Sequence, residues 1–207
     1  MILRISLRVK MSKIVLFDLG GVLVNWKDEW LFAEITKQFD IEHDVLKSRF
    51  DQNIGSLFTG KVTEENFWQV VLHGYTNSKN YIIIDSLFST KYSINENILS
   101  EISILKKTNV AYGLLSNITT PTRKFLDKTG LFNDFKISFF SDLLGLAKPE
   151  PEIYQYVLNS LHPEYDSILF VDDKEENIAA AQKFGFETIL YSPETEIGSK
   201  IAQFLNK

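Results

Sequence analysis

The amino-acid sequence predicts an α/β protein: a parallel β-sheet with helices on both faces, plus a block of helices inserted after the first strand. Three observations predict it. Short, continuous apolar runs recur along the chain, as strands buried on both faces of a parallel sheet require. Amphipathic helical stripes separate those runs, which is the alternation that βαβ crossovers produce. The alternation lapses between about Trp26 and Tyr92, where helical patterns follow one another without a clean strand.

The first strand is read at residues 14–17, ended by Asp18 and the pair Gly20-Gly21. The others are read at 109–115, 136–140, 167–171 and 188–191. Between them, Ile98, Leu99, Ile102 and Leu105 share one helical face. Pro121 opens a helix that carries Phe125 and Leu126 and stops at Gly130, since proline suits a helix start and glycine a helix end. Pro151 opens another, with Tyr154, Val157, Leu158 and Leu161 on a stripe. Residues 175–184 form the last, closed by Gly185. The result is a Rossmann-like, doubly wound sheet.

Inside the insertion, helices are read around Trp30, Leu31, Glu34 and Ile35, around Val45, Leu46, Arg49 and Phe50, and over residues 64–72. Residues 52–61, with Gly55 and Gly60, read as a loop that either reaches over the site or simply turns. Residues 81–84 fit a strand or part of a buried helix, and periodicity does not decide. Residues 1–10 alternate apolar and basic side chains. They are either an extension upstream of a natural start at Met11 or a short edge strand.

Composition narrows the function. At 207 residues the chain makes one large domain or one domain with an insertion. With no cysteine, a disulfide framework, a thiolate zinc site and a cysteine nucleophile are excluded. The net charge of −5 argues against nucleic acid as a partner. No run approaches the ~18 apolar residues of a membrane span, and no signal-peptide pattern precedes Met11, so the expected compartment is the cytoplasm. His43, His73 and His162 lack ligand spacing.

Chemistry is concentrated where open α/β sheets bind ligands, at the carboxyl ends of the strands. Asp18 follows the first strand, Ser116-Asn117 the second, Lys148 lies in the loop after the third, and Asp172-Asp173 follow the fourth. Three carboxylates, one ammonium and a hydroxyl-amide pair suit a phosphoryl group. The carboxylates would repel a phosphate dianion on their own, but carboxylates that hold Mg²⁺ present it with a cation. Lys148, Ser116 and Asn117 add a positive charge and hydrogen-bond donors. An aspartate can itself attack phosphorus.

These residues resemble the motifs of the haloacid dehalogenase superfamily. Phe17-Asp18-Leu19-Gly20-Gly21-Val22 is similar to its first motif, Leu114-Leu115-Ser116-Asn117 to its second, Lys148-Pro149-Glu150-Pro151 with Tyr154 to its third, and Phe170-Val171-Asp172-Asp173 with Asn177 to its fourth. The stretch containing Gly60, Val62, Thr63, Glu65, Phe67 and Trp68 resembles small helical caps of the branch with sugar-phosphate phosphatases and the phosphatase domain of soluble epoxide hydrolases. The resemblance implies a core of residues 11–25 and 93–207, a cap of 26–92 and an N-terminal extension of 1–10. It implies a Mg²⁺-dependent phosphatase acting on a small phosphorylated metabolite, a sugar phosphate among the options, through an aspartyl-phosphate. In that scheme Asp18 is nucleophile and metal ligand. The Gly20 carbonyl and Asp173 complete the metal site with Asp172 beside them. Ser116, Asn117 and Lys148 bind the phosphoryl group, and Asn177 steadies the metal shell. Neither nucleic acid nor membrane is implied as a partner, and oligomeric state is left open.

One departure stands out. Most phosphatases of this family carry aspartate where this chain has Gly20, and that aspartate protonates the leaving oxygen. Two alternatives follow: a weak or inactive relative that binds a phosphorylated ligand, or a 2-haloacid dehalogenase. The paired Asp172-Asp173 favours metal chemistry over the second.

Overall fold

The computed structural model describes residues 12–75 and 90–207. Its main sheet has five parallel strands in the order β5-β4-β1-β6-β7. These are β1 (Lys13–Phe17), β4 (Ala111–Ser116), β5 (Ile137–Phe140), β6 (Ser167–Asp172) and β7 (Glu187–Leu190). All five predicted strands are present. Their apolar runs are buried on both sides: Val15, Phe17 and Leu114 face one cluster, while Ile14, Leu16 and Leu115 face the other. Helices between the strands cover both faces. They are α4 (Glu96–Lys107), α5 (Thr120–Lys128), α6 (Ser141–Leu144), α7 (Pro151–Leu161) and α8 (Glu175–Gln182).

Three differences from the sequence reading have local causes. The second strand begins at Ala111 rather than 109, because Asn109 adopts φ 56° and the Val110 N–H returns to the Leu105 carbonyl, closing α4. A terminal helix, α9 (Ile197–Leu205), was not predicted, although Ile197, Ile201 and Phe204 bury one face at helical spacing. A two-stranded antiparallel ribbon, β2 (Val24–Asn25) with β3 (Ser93–Ile94), is too short to leave a periodic signal.

The insertion leaves and re-enters the sheet through that ribbon. Its helices α1 (Asp28–Phe39), α2 (His43–Phe58) and α3 (Glu64–Val71) bury a cluster of their own, with Phe32, Phe50, Phe67 and Trp68 in edge-to-face contact. Residues 52–58, read as loop, are the end of α2: neither Gly55 nor its neighbours take a left-handed backbone there. Asn95 pins the ribbon. Its amide donates to the Val22 carbonyl at 2.8 Å and to the Tyr191 hydroxyl at 2.7 Å. Residues 1–11 and 81–84, on which two readings were left open, lie outside the described residues. Among the described residues no helix is long and apolar enough to cross a membrane.

Trp68 is fully buried at the centre of the helical cluster. Trp68→Ala is expected to cost about 3–5 kcal/mol of stability in urea denaturation, and Trp68→Phe distinctly less. Equal, small losses would place the helical core elsewhere.

Candidate active site

The strand order builds the site. Because β1 lies between β4 and β6, the residue after β1 sits between the residues that end its two neighbours. Asp18 leaves β1 with its N–H still paired to the Val171 carbonyl at 2.8 Å. Ser116 is the last residue of β4 and Asp172 the last of β6; both are buried. The chain after β5 passes through α6 and returns Lys148 beneath the same point.

Lys148 is the hub. Its ammonium donates to the Asp18 Oδ1 at 2.9 Å, to the Asp172 Oδ2 at 2.6 Å and to the Leu115 carbonyl at 3.0 Å. Those three bonds use its three N–H groups. It also lies 5.1 Å from the centre of the Phe170 ring. Lys148, Asp18 and Asp172 are almost entirely removed from solvent. Asp172 accepts further bonds from the Lys174 N–H at 2.8 Å and from the Asn177 amide at 3.0 Å. It is therefore saturated, and its contribution is to hold Lys148. Asn177 is fixed in turn by the Tyr154 hydroxyl, which donates to its carbonyl at 3.1 Å.

Asp173 is different. It is exposed, and carboxylate oxygens of Asp18, Asp172 and Asp173 lie within 4.8 Å of one another. Gly21 makes room for it. With φ 79°, Gly21 takes a backbone that side chains resist, and a Cβ there would stand 2.1 Å from the Asp173 Oδ2.

The predicted residues Asp18, Lys148, Asp172, Asp173 and Asn177 thus gather around one point, with Asn117 on the Lys148 backbone, Gly20 in the turn after Asp18, and Ser116 at the end of β4, its hydroxyl donating to the Asn117 carbonyl at 3.3 Å. Asn117 is placed in a way the sequence did not suggest. Its amide donates to the Lys148 carbonyl at 2.7 Å and accepts the Lys148 N–H at 2.9 Å. Its side chain clamps the loop that presents the ammonium. The sequence reading also missed a brace beside the site. The fully buried Asp142 carboxylate accepts from the Arg123 Nε at 2.9 Å and the Thr120 hydroxyl at 2.8 Å, tying the first turn of α5 to α6, the short helix that follows β5. Nothing in the spacing of Thr120, Arg123 and Asp142 announces it.

Electrostatically the site carries excess negative charge. Three carboxylates and one ammonium leave −2 when all are ionised. Burial pushes Asp18 up to about 7, Lys148 pulls it partly back, and Asp172 adds to the rise. Burial, then Asp172, also raise Asp173. Burial alone would lower Lys148, but Asp172 and Asp18 outweigh it and hold the ammonium charged. A compact, oxygen-lined site with a surplus of two negative charges fits a hard divalent cation.

Comparison with known proteins gives the same direction. The profile of the haloacid dehalogenase-like hydrolases matches residues 12–185. The chain is 25% identical over 203 residues to a D-ribitol-5-phosphate phosphatase of Bacteroides thetaiotaomicron, covering 89% of this chain and 93% of the relative. It is 23% identical to a drimenol cyclase of Aspergillus calidoustus, over 90% of this chain but only 35% of that protein's length. Among solved structures, a HAD-family enzyme of Bacteroides thetaiotaomicron superposes with a TM-score of 0.73 at 26% identity, covering 93% of this chain and 99% of the other. Another structure of that enzyme, in complex with magnesium and inorganic phosphate, matches in fold at 23% identity and a TM-score of 0.73, over 92% and 98% of the two chains.

Removing the hub leaves two buried carboxylates without a cation. Lys148→Met is expected to cost roughly 3–5 kcal/mol at pH 7 in denaturant titration. The loss should shrink toward pH 5, because the orphaned carboxyls, raised further, then hold protons in the folded state. A loss independent of pH would show that charge is not its cause.

Proposed function

The chain belongs to the haloacid dehalogenase-like hydrolases, and from that premise we propose a Mg²⁺-dependent phosphatase of small phosphorylated metabolites that works through an aspartyl-phosphate on Asp18. The observation that carries the reading is the shared ammonium: Lys148 bonds to the Asp18 Oδ1, as does the Leu19 N–H at 2.7 Å, and the two leave Oδ2 for attack on phosphorus. Asp18, Asp173 and the Gly20 carbonyl would hold the ion, with Asp172 behind them. When bound, Mg²⁺ neutralises the phosphoryl oxygens and draws a substrate dianion toward an acidic site.

The protein's own groups do the rest. Burial and the Lys148 contact fix the orientation of the Asp18 carboxylate, so little freedom is lost at attack. Lys148 supplies positive charge where the phosphoryl oxygens gather, and the Ser116 hydroxyl stands at the end of the adjacent strand. Asn177 and Tyr154 hold Asp172, and Asp172 holds Lys148. Residues 26–92 we assign as a cap over a core of 11–25 and 93–207. The separate apolar cluster of α1 to α3 and their attachment through the β2–β3 ribbon favour that division. Such a cap would shape the substrate. The phosphatase relatives favour sugar and polyol phosphates as the first class to try. The glycine at position 20 keeps a weak or silent enzyme as the second reading.

A screen of sugar phosphates, nucleotides and phospho-acids with Mg²⁺ is expected to find a substrate whose hydrolysis stops with EDTA. Asp18→Asn should abolish turnover, with a loss of at least about 10⁴-fold, since the nucleophile itself is removed. No turnover across the panel would contradict the reading.

Metal binding is also expected to depend on pH. Burial pushes the Asp18 carboxyl up to about 7, so below neutral pH it must release a proton to hold a cation. Mg²⁺ affinity should fall about tenfold per pH unit below 7, with proton release visible in calorimetry as a dependence on buffer ionisation heat. A constant affinity between pH 5.5 and 8, on the order of that range, would contradict it.

A further inference from the structure

We propose that the substrate carries its phosphate on a weakly basic oxygen, such as that of a hemiacetal, an acid, an enol or a second phosphate, because among the described residues the site offers no free proton for the leaving group. This rests on the phosphatase reading and narrows it: a sugar phosphorylated on its hemiacetal oxygen stays in the class, and a polyol phosphate, an alkyl ester, drops out. Among the described residues, the acids around Asp18 are either bonded to other partners or lie in the carboxylate cluster itself. The three N–H groups of Lys148 are bound to Asp18, Asp172 and the Leu115 carbonyl. Asp172 is saturated by Lys148, Lys174 and Asn177. The Tyr154 hydroxyl is turned to the Asn177 carbonyl. Asp173 shares the cation's space with Asp18, and among the described residues no histidine or fourth carboxyl joins that cluster.

Position 20 shows the gap directly. A Cβ built on Gly20 meets nothing within 4 Å, and its backbone is not left-handed. A side chain fits there, two residues beyond the nucleophile, and the chain supplies none.

The consequence falls on the first step. An oxygen of Asp18 bonds to phosphorus as the bond from phosphorus to the leaving oxygen breaks. The electron pair of that bond stays on the leaving oxygen, which departs as an oxyanion and takes its proton from water afterwards. In the second step the oxygen of a water bonds to phosphorus, the bond to Asp18 breaks, and its electron pair returns to the carboxylate. The proton of that water passes to solvent. Protonating a basic leaving oxygen within the site is worth about 10²–10⁴-fold, and this site forgoes it. A weakly basic oxygen loses little by that absence.

The test is kcat/KM with Mg²⁺ for aryl phosphates running from nitrophenyl to phenyl, and for an alkyl phosphate. It uses wild type, Gly20→Asp and, as a side chain of equal size without the acid, Gly20→Asn. Wild type should fall by roughly 10²-fold or more from nitrophenyl to phenyl. Gly20→Asp should flatten that slope and Gly20→Asn should not. A wild type that cleaves phenyl phosphate nearly as well as nitrophenyl phosphate overturns the proposal, since it has an acid. A steep slope that Gly20→Asp leaves unchanged supports the substrate class and overturns position 20 as the gap. If Gly20→Asp fails to fold, the wild-type slope decides alone. No cleavage of nitrophenyl phosphate overturns the phosphatase reading itself.

Discussion

One buried ammonium between two buried carboxylates is the constraint on which this structure depends. Charges so far from water persist only when paired closely and hydrogen-bonded fully. Lys148 meets that condition with three bonds, and Asp172 with four. The pairing is uneven by design of the charges: one cation serves two anions, and Asp173 adds a third carboxylate at the edge. The surplus raises Asp18 to about 7 despite its ion pair. The site is therefore paired closely enough to persist in the core, and its surplus of negative charge suits a divalent cation.

The rest of the fold serves that arrangement. Parallel strands in the order β4-β1-β6 bring Ser116, Asp18 and Asp172 side by side from distant parts of the chain. The Asn117 clamp fixes the Lys148 backbone, and the Arg123–Asp142 brace ties α5, which follows Asn117 along the chain, to α6. Gly21 lets Asp173 approach the turn after Asp18. The helices α1 to α3 bury an aromatic cluster of their own, apart from the charged centre.

Much of this was legible beforehand because burial on both faces writes itself into sequence as unbroken apolar runs. Five such runs located the strands, and strand ends located the charged residues. Charge in a sheet mouth is a readable signal because it is costly anywhere else in a core. What stayed hidden depends on partners rather than on local pattern. The role of Asn117 is set by the backbone of a residue thirty-one positions away, and that of Asp142 by Arg123 on another element. The β2–β3 ribbon is two residues long on each side, below the length at which alternation shows. The helix at Ile197, Ile201 and Phe204 did carry its spacing, and could have been read.

The central claim is that Asp18 attacks phosphorus beside a cation that it shares with Asp173, while Lys148 stays bonded to the Asp18 Oδ1 and holds that carboxylate in place. A crystal structure of the protein soaked with Mg²⁺ and beryllofluoride tests it most directly. The account expects beryllium bonded to the Asp18 carboxylate, Mg²⁺ within roughly 2.1 Å of oxygens from Asp18 and Asp173, and the Lys148 ammonium still paired with Asp18 and Asp172. Beryllofluoride bound elsewhere, or a cation that leaves Asp173 untouched, would contradict it.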